Sequence, residues 1–466
     1  MFMKFTKRQT ADQLNVNWRS FYSQVLILVI PMALQNLINV GVTAADVVML
    51  GKVGETVLSG ASLAGQVQFI MNLFFFGLTS GATVLTAQYW GKGDTRTIEK
   101  VLGIGLTAGM AVAVVFTAAA MLIPGLLMRI FTDDPAIVAE GVKYLQIVGW
   151  SYLLMAVTQV YLNIVRSIER VVVATVVFSI SLTVNVFLNW ILIFGKLGYP
   201  ALGIQGAAIA TLIARTVEVL LVVGYALFKN EVVRIRFRDL YRFDKVLLKD
   251  FAQFSAPVVV NELMWGLGMA AYAAIIGRLG SAAVAANSVA QVARQLAMVV
   301  VFGIANATAI YLGKTIGEKK EQLAKAYAKR FIWLSLVFGI AGALIILVSI
   351  PLVTANLALG AQAKHYLRIM FSIMSAYSIG QALNSTVIVG IFRAGGDTKI
   401  GLLMDVGSMW CGSIVLGLLA AFVFKAPVPI VYLCLMSDEF IKIPFSLKRF
   451  SSYKWLNNVT REIEVT

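Results

Sequence analysis

Apolar residues run along this chain in twelve long stretches, each closed by a short polar or charged segment. A window of about 19 residues places them near 22–50, 58–88, 101–128, 140–164, 171–195, 203–228, 251–277, 283–312, 331–352, 366–392, 400–424 and 425–447. An α-helix needs about 20 apolar residues to cross the hydrocarbon of a bilayer. It also satisfies its own backbone there, which an open strand cannot do. The pattern predicts an all-α integral membrane protein with twelve transmembrane helices. The last two stretches are parted only by Lys425-Ala-Pro-Val-Pro.

The stretches fall into two sets of six. Lys229 to Asp250 is the only long charged segment and lies near the middle. The halves echo each other: Gly51-Lys-Val-Gly54 precedes Gly277-Arg-Leu-Gly280 by 226 positions. Phe76-Gly77 and Gly91 meet Phe302-Gly303 and Gly317 at the same offset, without a gap. Tyr144-Leu-Gln-Ile returns as Tyr366-Leu-Arg-Ile, and Arg166 is matched by Arg393. Six crossings bring the chain back to its starting side, so the repeat is parallel, about an axis along the membrane normal. The domain reading is an N-terminal tail at 1–21, an N-lobe at 22–228, a linker at 229–250, a C-lobe at 251–447 and a C-terminal tail at 448–466.

Composition supports a bilayer as solvent. Of 466 residues, 59% are hydrophobic and 13% charged, against about a quarter charged in an ordinary soluble domain. The net charge of +16 suggests nucleic acid only until its distribution is considered. Most of the 39 Lys and Arg residues lie in the terminal tails and in the loops on the same side. The opposite loops hold Lys52, Arg129, Lys196, Arg278, Lys364 and Lys425. By the positive-inside rule both termini are cytoplasmic, in a multi-pass protein of the inner (plasma) membrane. No nucleic-acid partner is expected. Cys411 and Cys434 both sit in apolar runs and form no disulfide framework. The polar start, Met1 to Ser20, lacks the short apolar core of a removable signal peptide.

Ionisable groups inside spans are costly and mark partners or wet cavities. Arg215 with Glu218, and Glu439 with Lys442, have i,i+3 spacing and read as structural pairs; Asp438 beside them is left open. Glu262 has no basic residue within eleven positions on either side, so it can exchange a proton or hold a sodium ion. A counter-ion from Arg294 or another span would instead make it a structural tie. Asp46 lies five residues before the Gly51–Gly54 turn, and Tyr272 is its counterpart in the second half. Asn185 and Asn189 are one helical turn apart. They complete an oxygen-rich site with Asp46 if their helices converge, and otherwise serve as interhelical hydrogen bonds. Asp405 sits near the cytoplasmic start of span 11.

Other chemistry is excluded. Gly313-Lys-Thr lacks the glycine a phosphate loop needs at position 308, which is Thr308. His365 is the only histidine, so no multi-histidine metal site exists. No enzyme activity, resident metal or cofactor is expected, apart from Na+ or H+ as coupling ion, with Na+ at Glu262.

With these residues in place, the chain resembles the multidrug and toxic compound extrusion family nearly end to end. The resemblance rests on Pro31-Met, Ala45-Asp46-Val-Val-Met-Leu-Gly, Gln88-Tyr-Trp-Gly91, Asn185-Val-Phe-Leu-Asn189 and Gly203-Ile-Gln-Gly-Ala-Ala-Ile-Ala-Thr211. In the second half it rests on Asn261-Glu262-Leu-Met-Trp-Gly-Leu-Gly, Ala285-Ala-Asn287 and Gly390-Ile-Phe-Arg393-Ala-Gly-Gly-Asp397-Thr. The resemblance implies a V-shaped pair of six-helix bundles exporting small cationic, amphipathic compounds in exchange for inward Na+ or H+. It implies ion coupling through a span-1 aspartate, matched by Asp46, or a span-7 glutamate, matched by Glu262, with Asp405 as the nearest candidate partner. It also implies an N-lobe polar site: Asn185 and Thr211 match, but Asn189 stands where the family has an aspartate. That departure favours coupling in the second half. The expectation is a monomeric secondary antiporter. A lipid-linked oligosaccharide flippase is the alternative, and an ion channel or non-transporting receptor scaffold the alternative of another class.

Overall fold

The computed structural model describes residues 17–230, 232–233, 244–356 and 360–461. Residues 1–16 of the expected tail, 231 and 234–243 of the expected linker, and 462–466 of the expected C-terminal tail lie outside the described residues. What is described is all-helical. In the N-lobe, α1 is Trp18–Gly51, α2 Glu55–Lys92, α3 Thr95–Leu122, α4 Pro124–Arg129, α5 Pro135–Ser167, α6 Val171–Phe194 and α7 Ile204–Phe228. In the C-lobe, α8 is Lys245–Gly277, α9 Ser281–Gly317, α10 Glu321–Asn356 and α11 Ala361–Asn384, continuing through wider π turns at Ser385–Phe392. Then come α12, Thr398–Val423, α13, Val428–Leu435, and α14, Asp438–Ser451.

Sequence punctuation sets the ends of these helices. Asn17, Asp94, Asp134 and Asp244 accept first-turn backbone N–H groups of α1, α3, α5 and α8, satisfying donors that a helix start leaves unpaired. At the other end Gly93, with φ at 80°, closes α2 in a left-handed cap that a side chain resists.

Ten of these helices are long and apolar enough to cross a membrane, among the described residues. Two expected spans take a different form. Span 10 is α11, whose π turns begin beside the polar residues Gln381, Asn384 and Ser385. Span 12, expected unbroken over 425–447, is split into α13 and α14 at Met436 and Ser437. The break places Asp438 and Glu439 in the first turn of α14, where a helix N-terminus favours negative charge.

The repeat is visible in the packing. The turn from α1 to α2 at 51–55 and the turn from α8 to α9 at 277–281 occupy equivalent places. Both first helices carry an internal proline, Pro31 and Pro257, again 226 positions apart. The first half of α1, with Phe21, Val25, Leu28 and Met32, is buried with α9, α10 and α11 of the C-lobe. Reciprocally, Leu247, Phe251 and Phe254 of α8 are buried in the N-lobe core. Each lobe thus receives the opening helix of the other.

Small residues let the lobes meet closely. A Cβ on Gly77 would overlap Val259, and one on Gly81 would overlap Ser255. Gly303 faces Val29 and Ala33 at the equivalent seam. These contacts lie toward the side where α1 begins and α14 ends, called the tail side below. Toward the other side, the walls of the N-lobe cavity contain no C-lobe residue among the described residues. The lobes are joined on the tail side as far as Asn36, whose amide donates to the Val299 carbonyl at 3.4 Å, and Gly266, which faces Leu73.

Candidate functional site

One cavity lies within the N-lobe, and another lies in the C-lobe against the seam, where Asn36 and Phe76 of the N-lobe help to wall it. The N-lobe cavity, ≈ 570 Å3, is walled by α1, α2, α5, α6 and α7 and includes Asp46, Tyr144, Asn185, Thr211 and Arg215. The helices that carry the expected polar residues do converge. Asn189 Nδ2 donates to Asp46 Oδ1 at 2.6 Å and also to Asn185 Oδ1 at 3.1 Å. Asn185 Nδ2 in turn lies 3.4 Å from Thr211 Oγ1. Asp46, Asn185, Asn189 and Thr211 therefore form one chain of side chains across α1, α6 and α7. Asp46 has no ion pair among the described residues. Asn189 Oδ1 is buried and makes no hydrogen bond, and an unmatched buried acceptor is costly. One turn nearer the tail side, Arg215 pairs with Glu218 at 2.6 Å, as the spacing predicted, and Ser181 donates to Glu218.

The C-lobe cavity, ≈ 280 Å3, brings Glu262 and Asp405 into one wall set with Asn261, Arg393, Asp438, Glu439 and Lys442. Here the structure adds what local sequence could not supply. Glu262 has a counter-ion: Arg393 Nη2, at the end of α11, lies 2.9 Å from Glu262 Oε1. The same guanidinium donates to Ser80 of the N-lobe at 2.9 Å and lies over the Phe76 ring at 5.6 Å. Arg294, the counter-ion considered from sequence, is engaged instead by Gln291 and Gln381.

Asp405 does not bond to Glu262. It accepts from Asn261 at 3.0 Å and pairs with Lys442 at 3.1 Å. Lys442 is the hub of the second network: Glu439 is at 3.0 Å and Asp438 at 3.6 Å. The i,i+3 pair read from sequence is thus one edge of a buried cluster of three carboxylates around one ammonium group. Asn384, where the π turns of α11 begin, donates to Glu439 at 2.8 Å and accepts from Ser446. Tyr272, the counterpart of Asp46, hydrogen-bonds Ser413. Asp397 pairs with Arg449 at 2.7 Å, away from either cavity. His365 is exposed. The residues missed from sequence were Arg393 and Lys442 as hubs. The sequence matches Arg393 to Arg166 across the repeat and pairs Lys442 with Glu439 alone.

The MatE family model matches residues 31–191 and 257–440, most of both lobes. The chain belongs to the MatE family. A probable multidrug resistance protein NorM from Rhizobium meliloti (strain 1021) is 24% identical over 91% of this chain and 90% of its own. The NorM protein of Thermotoga maritima is 22% identical over 93% and 92%. Among solved structures, a point mutant of a MATE protein superposes with a TM-score of 0.84 at 18% identity, covering 96% of this chain and all of its own. An outward-facing multidrug resistance MATE transporter gives 0.83 at 18%, covering 96% and 99%. These similarities confirm the expected fold: MATE architecture with twelve helices in two lobes. As a MatE protein, the chain is a multi-pass membrane transporter.

Proposed function

We propose that this protein is a secondary antiporter that exports small organic cations in exchange for inward Na+ or H+. The observation that carries the reading is Asp46: a carboxylate in a membrane-embedded cavity, held by Asn189 and without an ion pair among the described residues. Such a group gains from a bound cation or proton, which makes its occupancy responsive to an ion gradient. Glu262 is already neutralised by Arg393, so the coupling role falls on the N-lobe, with Glu262 and Asp405 holding the C-lobe network. With the tails cytoplasmic by the positive-inside rule, the lobes are closed toward the cytoplasm and the Asp46 cavity lies toward the outer side. Alternating access then requires the tail-side seam to part while the opposite side closes. Names of the relatives agree with export of drugs.

A flippase for lipid-linked oligosaccharides needs a cationic cavity for phosphate. The N-lobe cavity sets Asp46 against Arg215, and the C-lobe cavity sets Glu262, Asp405, Asp438 and Glu439 against Arg393 and Lys442, so neither carries the excess positive charge that a phosphate calls for. The deciding test is ethidium efflux from proteoliposomes under sodium and proton gradients imposed separately. Saturable efflux driven by one gradient and lost in Asp46→Asn is the expected result. Single-channel currents without exchange, or efflux unaffected by Asp46→Asn, would overturn it.

A further inference from the structure

The segment after α14 crosses the seam. Trp455 is fully buried, stacked on Phe450, and its carbonyl lies where a Cβ on Gly395 would fall. Asn457 donates to the Gly395 carbonyl at 3.3 Å and Asn458 to that of Ile316 at 3.0 Å. Arg461 pairs with Asp250 of α8 at 2.8 Å. The anchors on Phe450, Gly395 and Ile316 belong to the C-lobe, while Asp250 lies on the part of α8 that packs into the N-lobe core. The same few residues also bind α2 of the N-lobe. Gln88 donates to the Asn457 carbonyl at 3.1 Å and accepts from the Val459 N–H at 2.8 Å. The Arg461 N–H donates to the Tyr89 hydroxyl at 3.1 Å, and Lys92 donates to the Arg461 carbonyl at 2.7 Å. Gln88 adds a bond to the Ala394 carbonyl at 2.7 Å, directly across the seam.

A tail that only finished its own lobe would have no reason to contact α2. Among the described residues after α7, Asn230 bonds Tyr161 and Arg170 of its own lobe. Gln88 is buried, so parting the seam exchanges its three bonds for water, a net loss for each.

We propose that residues 455–461 are a latch that holds the lobes together on the tail side and must release for that side to open. The proposal rests on the alternating-access reading above. Populations of the two states then depend on the latch, since a contact made in one state alone shifts the equilibrium toward it.

The test is a distance measurement between spin labels on the full-length protein in which Cys411 and Cys434 are replaced by serine. One pair, Arg96→Cys with Gln322→Cys, reports the tail side; the other, Val53→Cys with Ser281→Cys, reports the opposite side. All four positions are exposed. A stop at Asn457, which keeps Trp455, and Gln88→Ala in the full-length chain are compared with the parent. Each net hydrogen bond lost should raise the tail-side-open fraction by about fivefold, with a complementary shift in the second pair. Both variants must elute as folded protein; Gln88→Ala preserves the test if the truncated chain does not. Populations that respond to ions or ethidium but not to either variant overturn the latch and leave alternating access standing. Distances fixed under every condition, in parent and variants, overturn both.

Discussion

Gly91 and Gly317 each lie against the other's helix: a Cβ on Gly91 would overlap the carbonyl of Lys314, and one on Gly317 would overlap the carbonyl of Gln88. The positions are related by the 226-residue repeat, and so are their targets. One seam is thus built twice from the same register. Replacing either glycine by alanine forces backbone against backbone, which no rotamer change relieves. The expected cost is about 1–3 kcal/mol of stability in this state, read as a lower thermal midpoint and a tail-side-open shift in the spin-label distances. Gly65→Ala, on the same helix with open space around it, should be silent.

Asp46→Asn removes the charge but keeps a side chain of the same shape beside Asn189. The fold should persist, with a thermal midpoint near that of the parent, while gradient-driven efflux falls to background. A ligand that no longer distinguishes two states shifts neither. Unchanged efflux would place the coupling ion elsewhere.

Glu262→Gln leaves the Arg393 guanidinium buried with one neutral partner and Ser80. Breaking a buried pair from one side costs about 3–5 kcal/mol. The double variant Glu262→Gln with Arg393→Gln should recover part of that loss in a thermal melt. If the single variant is as stable as the parent, the ion pair is not the structural tie argued for it.

Lys442→Met leaves Asp405, Asp438 and Glu439 facing one another without their shared cation. The loss should again be about 3–5 kcal/mol and should lessen when Asp438→Asn is added. Circular-dichroism melts in detergent compare the three proteins, and equal midpoints would remove Lys442 from the role of hub.

Sidedness is checked by labelling intact cells with a membrane-impermeant maleimide in a chain lacking Cys411 and Cys434. Lys196→Cys, on an exposed turn away from the tails, should label; Arg19→Cys should label only after the cells are opened. The reverse pattern would turn the whole topology over.

Much of the architecture was legible because membrane helices announce themselves through length and hydropathy, and because a gapless repeat needs no alignment to detect. The turns at Gly51–Gly54 and Gly277–Gly280 fell where the offset placed them. The N-lobe site was also legible: Asp46 and the asparagines one turn apart needed only helix convergence to meet. The C-lobe site was not. Arg393 lies 131 positions from Glu262, and Lys442 lies 37 from Asp405; pairing at such separations is settled by packing and leaves no local spacing signal. The break between α13 and α14 was hidden for a related reason. Pairing Glu439 with Lys442 by spacing let Ser437-Asp-Glu pass as part of one continuous span, whereas the structure breaks the helix there.

The exchange of opening helices has a practical consequence for cutting the chain. Because α1 contributes Phe21, Val25, Leu28 and Met32 to the opposite core and α8 contributes Leu247, Phe251 and Phe254 in return, neither half contains the whole of its own interior. Two fragments separated between Val233 and Asp244 should be insoluble or rapidly degraded when produced alone. Produced together, they should recover one another in the membrane, so that activity appears as fragment complementation instead of as the sum of two domains.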